Sequence, residues 1–429
     1  MIPPVRKKPA ILFLLAGAAA FGQAPATLTL KQAEAIALKL HPRVRAAEFA
    51  ASAAAEVPVQ QRAAYFPLIT GEITGVAAPP NTRIGAGALN NPIIYTRASP
   101  GILADQLVTD FGRTSNLVAS ARYTAAARRQ DVRTTSEDLL LQVDQAYFDT
   151  LRAQSVLQVA KETVAARQVV SDQVTALAKS KLKSELDVSF ADVNLSQAKL
   201  LLVSAQNDLD ASFARLSAAL GYAAPQHFVL AEEPMPGPPP TDFDALLQTA
   251  IANRPELASL RASQTAAQRF AQAEKALWYP TVSILAAVGL IPAHAAQLQD
   301  KYAAAGVNVS IPIFNGGVFT ARRREAEFQA SAASEALRDE QLRIARDLRV
   351  AWLNQQTAYQ QLGLTLQLLK EATQALDLAQ ARYNIGLSSI VELTQAQLGL
   401  TSAQIENVTA RYGYQARTAA VAYQTGQLK

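Results

Sequence analysis

The 429-residue chain contains no cysteine, which excludes structural disulfides, thiol chemistry and a lipid-modified N-terminal cysteine. Histidine is almost as scarce: His41, His227 and His294 fall in or near loops, and no Gly-rich phosphate loop or Ser-His-Asp grouping accompanies them. The expectation is therefore a non-enzyme without a metal or a cofactor. Only 17% of residues are charged, and the 40 basic and 35 acidic side chains are spread without a basic block or aromatic-basic interleaving. Such a surface gives no support to a nucleic-acid partner. Half of the chain is hydrophobic, yet no long apolar run occurs beyond the first 25 residues, so the mature chain has no transmembrane helix.

At the N-terminus, Arg6, Lys7 and Lys8 precede the apolar block Ala10 to Phe21, and Gly22-Gln23-Ala24 supplies the small residues of a cleavage site. This pattern reads as a secretory signal peptide over residues 1–24, with cleavage after Ala20 as the second choice. A membrane anchor is the alternative, but the block is too short to span a bilayer and a polar, capped helix follows it.

Proline is missing from 67 consecutive residues, Gly317 to Tyr383, which hold one internal glycine, Gly363. Within them Ile344, Leu348, Ala351, Ala358, Leu362, Leu369, Ala372, Leu376, Ala379 and Tyr383 recur at gaps of three and four, with Gln355 and Thr365 filling the seam. That is a heptad pattern, and an unbroken helix of this length would reach about 100 Å. Ala alternating with Leu predicts closely packed neighbours along the whole rod. A plain coiled coil would satisfy this stretch; its flanks argue otherwise.

Thr29-Leu30-Lys31-Gln32 is a capping box opening a helix to Leu40, and His41-Pro42 separates it from an Ala-rich helix to about Ala64. A β-hairpin is expected at about 66–110: Ile69 to Thr74 alternate as a strand does, a loop with Pro79, Pro80, Asn81, Asn90, Asn91 and Pro92 follows, and a weaker strand spans Ile94 to Val108. A long helical hairpin is expected at 113–221, with a seam through Leu139, Val143, Ala146, Ala153, Leu157, Ala160, Val164 and Val174, a break at Ala178 to Lys183, and an end at Gly221. Residues 222–241 hold six prolines and read as a linker.

The series then recurs. Arg254-Pro255 and Tyr279-Pro280 lie 213 residues beyond His41-Pro42 and Phe66-Pro67. Past the strands the offset becomes 205, matching Ala351 with Ala146, Ser389 with Ser184 and Gly426 with Gly221. Two repeats, 25–221 and 242–429, are therefore expected. The second has a hairpin at about 280–314, with strands around Val282 and Val309 and a polar loop from His294 to Lys301, and a long helical hairpin at 317–426. Four strands cannot close a membrane barrel, whose smallest form has about eight, and lipid does not tolerate open edges. An exported chain of this kind should oligomerise, as a dimer of eight strands or a trimer of twelve. Two soluble hairpins capping helical bundles are the alternative.

With these features in view, the mature chain resembles the TolC family of outer-membrane efflux and secretion channels. The resemblance is carried by Leu28-Thr29-Leu30 with Ala33, Ala37 and Pro42, by Asp110-Phe111-Gly112-Arg113 and by Arg254-Pro255-Glu256-Leu257. Further along it is carried by Ile313-Phe314-Asn315-Gly316-Gly317, Arg382-Tyr383-Asn384-Ile385-Gly386-Leu387 and Ile390-Val391-Glu392-Leu393. It implies an α+β membrane protein: a homotrimer in which four strands per chain complete a twelve-stranded barrel in outer-membrane lipid, above a twelve-helix periplasmic tunnel. It also implies a passive channel-tunnel of a tripartite efflux or type I secretion system, fed by an inner-membrane transporter and a periplasmic adaptor protein. An exported, non-channel coiled-coil protein tethered to the envelope is the competing reading.

The resemblance places the tunnel entrance at the helix tips, Ala178 to Ser184 and Ile385 to Ser389. It assigns Glu392 and Gln395 to the pore constriction, with Asp187 as the first-half match of Glu392; Gln395 departs from a two-carboxylate pattern. Tyr383 matches an entrance-locking tyrosine, and Ser388 stands where an arginine can occur in the family. Lys179, Ser180, Lys181, Gly386, Leu387, Ser388 and Ser389 are the expected adaptor-contacting residues, the lysines suited to acidic partners.

Overall fold

The computed structural model describes residues 27–83 and 93–428. The expected signal peptide and the Asn90-Asn91-Pro92 segment of the first hairpin loop lie outside the described residues.

Helix α1 (Leu30–Leu40) starts from the expected capping box: Gln32 N donates to Thr29 Oγ1 at 3.3 Å, and Thr29 N donates to Gln32 Oε1 at 3.0 Å. Pro42 sits in the first turn of α2 (Pro42–Arg62), where its missing N–H costs nothing. After the 3-10 turn Ala63–Tyr65 come strands β1 (Leu68–Val76) and β2 (Arg97–Thr109). Helices α3 (Arg113–Lys179) and α4 (Glu185–Ala219) then form the first long hairpin. The second half repeats the plan with α5 (Phe243–Asn253), α6 (Pro255–Lys275), the 3-10 turn Ala276–Trp278 and strands β3 (Thr281–Leu290), β4 (Ala293–His294) and β5 (Lys301–Ser310). Helices α7 (Val318–Asn384) and α8 (Ile390–Gln424) close it.

Corresponding helices have equal lengths: 11 residues for α1 and α5, 21 for α2 and α6, 67 for α3 and α7, 35 for α4 and α8. Backbone conformation repeats as well. The pairs Phe111/Gly316, Gly112/Gly317, Lys181/Gly386 and Gly221/Gly426 all have positive φ. At Gly426 a Cβ would come within 3.0 Å of the Asn253 backbone, and at Gly221 within 3.1 Å of His41 Cα. In each half the last turn of the long hairpin thus rests directly on the junction between the two short helices.

Three expectations are corrected. Helix α3 continues through Ala178 and Lys179, so the first turn begins at Ser180; both residues favour helix and their N–H groups lie in its last turn. Strand β2 begins at Arg97 rather than Ile94 and, at 13 residues, is the longest strand. Pro100, Gly101 and Asp105 depress its local propensity, but pairing on both sides overrides that. The segment expected as a polar loop from His294 contributes the two-residue β4, which pairs with Arg97 and Ala98.

The four long strands form one antiparallel sheet in the order β1-β2-β3-β5, joining the halves through β2 and β3. The register divides its faces. Ile69, Ile73, Pro100, Ile102, Ala104, Ile284, Val288, Val307 and Val309 share one face, almost wholly apolar. Thr70, Glu72, Ser99, Asp105, Ser283, Asn308 and Tyr302 point to the other. Among the described residues no layer covers the apolar face: Ile73 is 85% exposed and Val307 69%. Tyr302 lies across the facing pair Gly101 and Gly289, where a Cβ on Gly101 would come within 2.0 Å of its hydroxyl.

Below the sheet, α3 packs against α2, α4, α6 and α8, and α7 against α5, α6 and α8. Every expected seam residue of α7 is buried or half-buried. The main core gathers Leu139, Val143, Tyr147 and Leu151 of α3 with Ala33 and Ala37 of α1 and Leu216 of α4. The proline-rich segment crosses this level as a strap. Leu28 bridges Leu230 in parallel fashion, and the Tyr147 hydroxyl lies 2.8 Å from the Leu28 carbonyl and 2.7 Å from that of Ala231. Trp352 Nε1 donates to the Pro240 carbonyl at 2.8 Å, and Gln415 Nε2 to that of Glu233 at 3.0 Å. Proline removes backbone donors from this segment, so side chains of the helices supply them.

Candidate functional site

The two long hairpins turn at the end of the molecule opposite the sheet, and their tips have the same hydrogen bonds. In the first, Lys181 N donates to Ala178 O at 2.9 Å and Leu182 N to Leu177 O at 2.9 Å. In the second, Gly386 N donates to Tyr383 O at 3.1 Å and Leu387 N to Arg382 O at 2.8 Å. This closure needs a left-handed residue: Gly386 (φ 78°) takes it freely, whereas Lys181 (φ 57°) takes it against the preference of an L side chain. Ser184 and Ser389 then cap α4 and α8. Both tips present apolar side chains to solvent, Leu182 at 70% and Leu387 at 68% exposure, beside the exposed Lys179 and Lys181.

Behind the turns, Tyr383 is buried against Val174 of α3, Ala191 of α4, and Ile390 and Leu393 of α8, joining the two hairpins. Its hydroxyl has no hydrogen-bond partner among the described residues, and Lys183 Nζ stands 4.4 Å from the ring centroid. Burial first, and then the charge of Asp187, raise the Tyr383 hydroxyl above its ordinary pKa. Asp187 is engaged by its own cap, accepting from Ser184 N at 3.0 Å and Ser184 Oγ at 2.8 Å, and these bonds hold its carboxyl below the usual range. The Ser388 hydroxyl is likewise buried with no hydrogen-bond partner among the described residues.

Glu392 occupies the first turn of α8, where its N–H donates to Ser389 Oγ at 3.3 Å. Its carboxylate meets Arg382 Nε across the turn at 3.2 Å. Gln395 is exposed on the same helix. The structure therefore divides the expected constriction residues: Glu392 is paired with Arg382, while Asp187 belongs with Ser184 and acts electrostatically on Tyr383. Arg382 and Lys183 escaped the sequence reading as partners. Arg382 stands ten residues before Glu392 on the other helix of the turn, and only the hairpin's closure brings the two together.

Among the described residues there is no group of three His, Asp or Glu side chains able to hold a metal, and no helix long and apolar enough to cross a membrane.

Comparison with known proteins agrees with this architecture. The outer membrane efflux protein family matches residues 35–222 and 246–427, dividing the chain at the proline-rich strap. Outer membrane protein TolC of Escherichia coli (strain K12) is 26% identical over 342 residues, covering 76% of this chain and 68% of that one. Outer membrane efflux protein BepC of Brucella suis is 24% identical over 423 residues, covering 97% and 89%. A membrane protein of known structure from Pseudomonas aeruginosa superposes with a TM-score of 0.80 at 19% identity, covering 99% of both chains. With both repeats matched over their length and the fold shared end to end, the chain belongs to the outer membrane efflux protein family.

Proposed function

We propose that three copies of this chain form an outer-membrane channel-tunnel, a passive conduit of a tripartite efflux or type I secretion assembly. One observation carries the reading: among the described residues, the apolar face of the sheet has no covering layer and its outer strands, β1 and β5, pair on one side only. In water both features are liabilities; in lipid the face is solvated and the edges must find partners. Pairing β1 of one copy with β5 of the next closes a barrel, and three copies of four long strands give the twelve expected from the resemblance. The helices support the same contact. Helix α6 lies between α3 and α7, whereas its counterpart α2 packs on α3 and leaves Phe49 and Val59 exposed. A neighbouring α7 would complete the set. The paired tips, with apolar residues and lysines at the rim, are the proposed docking site of a periplasmic adaptor that brings the inner-membrane transporter.

The mature protein in mild detergent should migrate as a heat-labile trimer and conduct ions in planar bilayers. A monodisperse monomer would refute the shared barrel. Trimers without conductance would favour the tethered, non-channel coiled-coil reading.

A further inference from the structure

Three turns back from the first tip, α3 buries an arginine that the channel reading does not use. Arg167 is 4% exposed, and its Nη1 has no hydrogen-bond partner among the described residues. It lines a cavity of about 140 Å³ between α3, α7 and α8, with Thr163, Leu376, Gln397, Thr401 and Gln404 among its walls. Glu162 also borders this cavity, but its carboxylate accepts from Gln158 Nε2 at 2.7 Å and forms no ion pair with Arg167. Burial lowers the guanidinium to about 10, so the group stays cationic at neutral pH, and among the described residues no carboxylate forms an ion pair with it.

We propose that Arg167 and the side chains facing it from α8 bind a small inorganic oxyanion in the wall of the helical bundle, between the two long hairpins. A buried cation needs a counter-charge more than it needs packing, because desolvation is offset only by pairing and hydrogen bonds. The space exceeds that of a single water, about 30 Å³ in the liquid, and water would leave the charge unbalanced. The donors present suit an oxyanion. The Thr163 and Thr401 hydroxyls donate to the Val159 and Gln397 carbonyls at 2.8 and 3.1 Å, which leaves the Gln397 and Gln404 amides to join the planar guanidinium fork. Leu376 on the cavity wall lowers the local dielectric and strengthens each of these bonds. A ligand held there ties α3 of the first hairpin to α8 of the second.

Inorganic phosphate is the probe. The detergent-solubilised protein is melted with increasing phosphate at constant ionic strength, chloride making up the balance. The native midpoint should rise and follow a single-site curve; at about a hundredfold excess over Kd the unfolding constant falls about a hundredfold. Arg167→Met, which removes the buried charge but keeps the volume, should abolish the phosphate-dependent rise, and Gln404→Leu should weaken it. A native protein indifferent to phosphate, or an Arg167→Met variant with the native response, overturns the proposal. If Arg167→Met does not assemble, Gln404→Leu decides: an unchanged apparent Kd overturns the site and a raised one supports it.

Discussion

Glu392 carries a charge that Arg382 already answers at 3.2 Å, with both side chains about half exposed. An exposed pair of this kind contributes about 0–1 kcal/mol to stability, so substituting either partner changes the field at the tip more than the fold. If three copies surround an axis there, Glu392→Gln should lower cation selectivity in bilayer recordings, and Arg382→Gln, by freeing the carboxylate, should raise it. Opposite shifts from the two variants are the signature; equal selectivity in all three proteins would move the constriction elsewhere along the helix. Asp187→Asn belongs to a different class. It weakens the Ser184 cap of α4 by about 1 kcal/mol and should leave selectivity nearly unchanged.

Two buried carboxylates make α3 sensitive to pH. Burial, and then Glu256, push Glu137 up to about 7; burial, and then Glu34, push Asp144 up to about 8. Unfolded, both lose their protons near the ordinary carboxylate value of about 4. The native state therefore binds more protons between about pH 4 and pH 8, and stability falls as pH rises through that window. The thermal midpoint should drop on going from about pH 5 to pH 8, and Asp144→Asn should flatten the slope. An unchanged slope in that variant would assign the dependence to other groups. In α7, Leu348 is fully buried against Leu257 and Ala250, and Leu348→Ala should cost about 2–5 kcal/mol, read as a lower midpoint with the trimer otherwise intact. The tips behave differently. Leu387 is exposed and outside the core, so Leu387→Asp should impair export while the amount of trimer stays normal. Unimpaired export would mean that the adaptor does not use this turn. Leu387 is a cleaner choice than Gly386, whose positive φ would add backbone strain to any side chain placed there.

For the whole molecule, one exposed apolar face, two open strand edges and an α2 with one free side all ask for the same thing, a further copy of the chain. Each is costly in an isolated monomer in water, and a ring of copies in a bilayer removes all three together. Dissociation should therefore be all-or-none: heating trimers in detergent should give monomers without a stable dimer, since two copies left from a twelve-stranded ring would still have open edges. A dimer that persists across the transition would require another closure.

Much of this protein was legible from the order of its residues. The duplication, the four short helices and the two long rods follow from local chemistry: periodicity, proline at helix starts, and glycine at left-handed turns. The sequence puts the turn at Lys181 two residues early because the lysine takes the left-handed conformation without the glycine that marks it in the second half. Strand β2 read as weak because its own residues favour strand poorly, and pairing with two neighbours decided it. The expected tip residues lie at the two turns, but the order of residues says nothing of how they pair. That Arg382 answers Glu392, that Lys183 covers Tyr383 and that Arg167 faces a cavity with no ion pair among the described residues depend on which helices lie side by side. Helical periodicity fixes the face a residue occupies, whereas the partner it meets across that face is set only when the two repeats pack against each other.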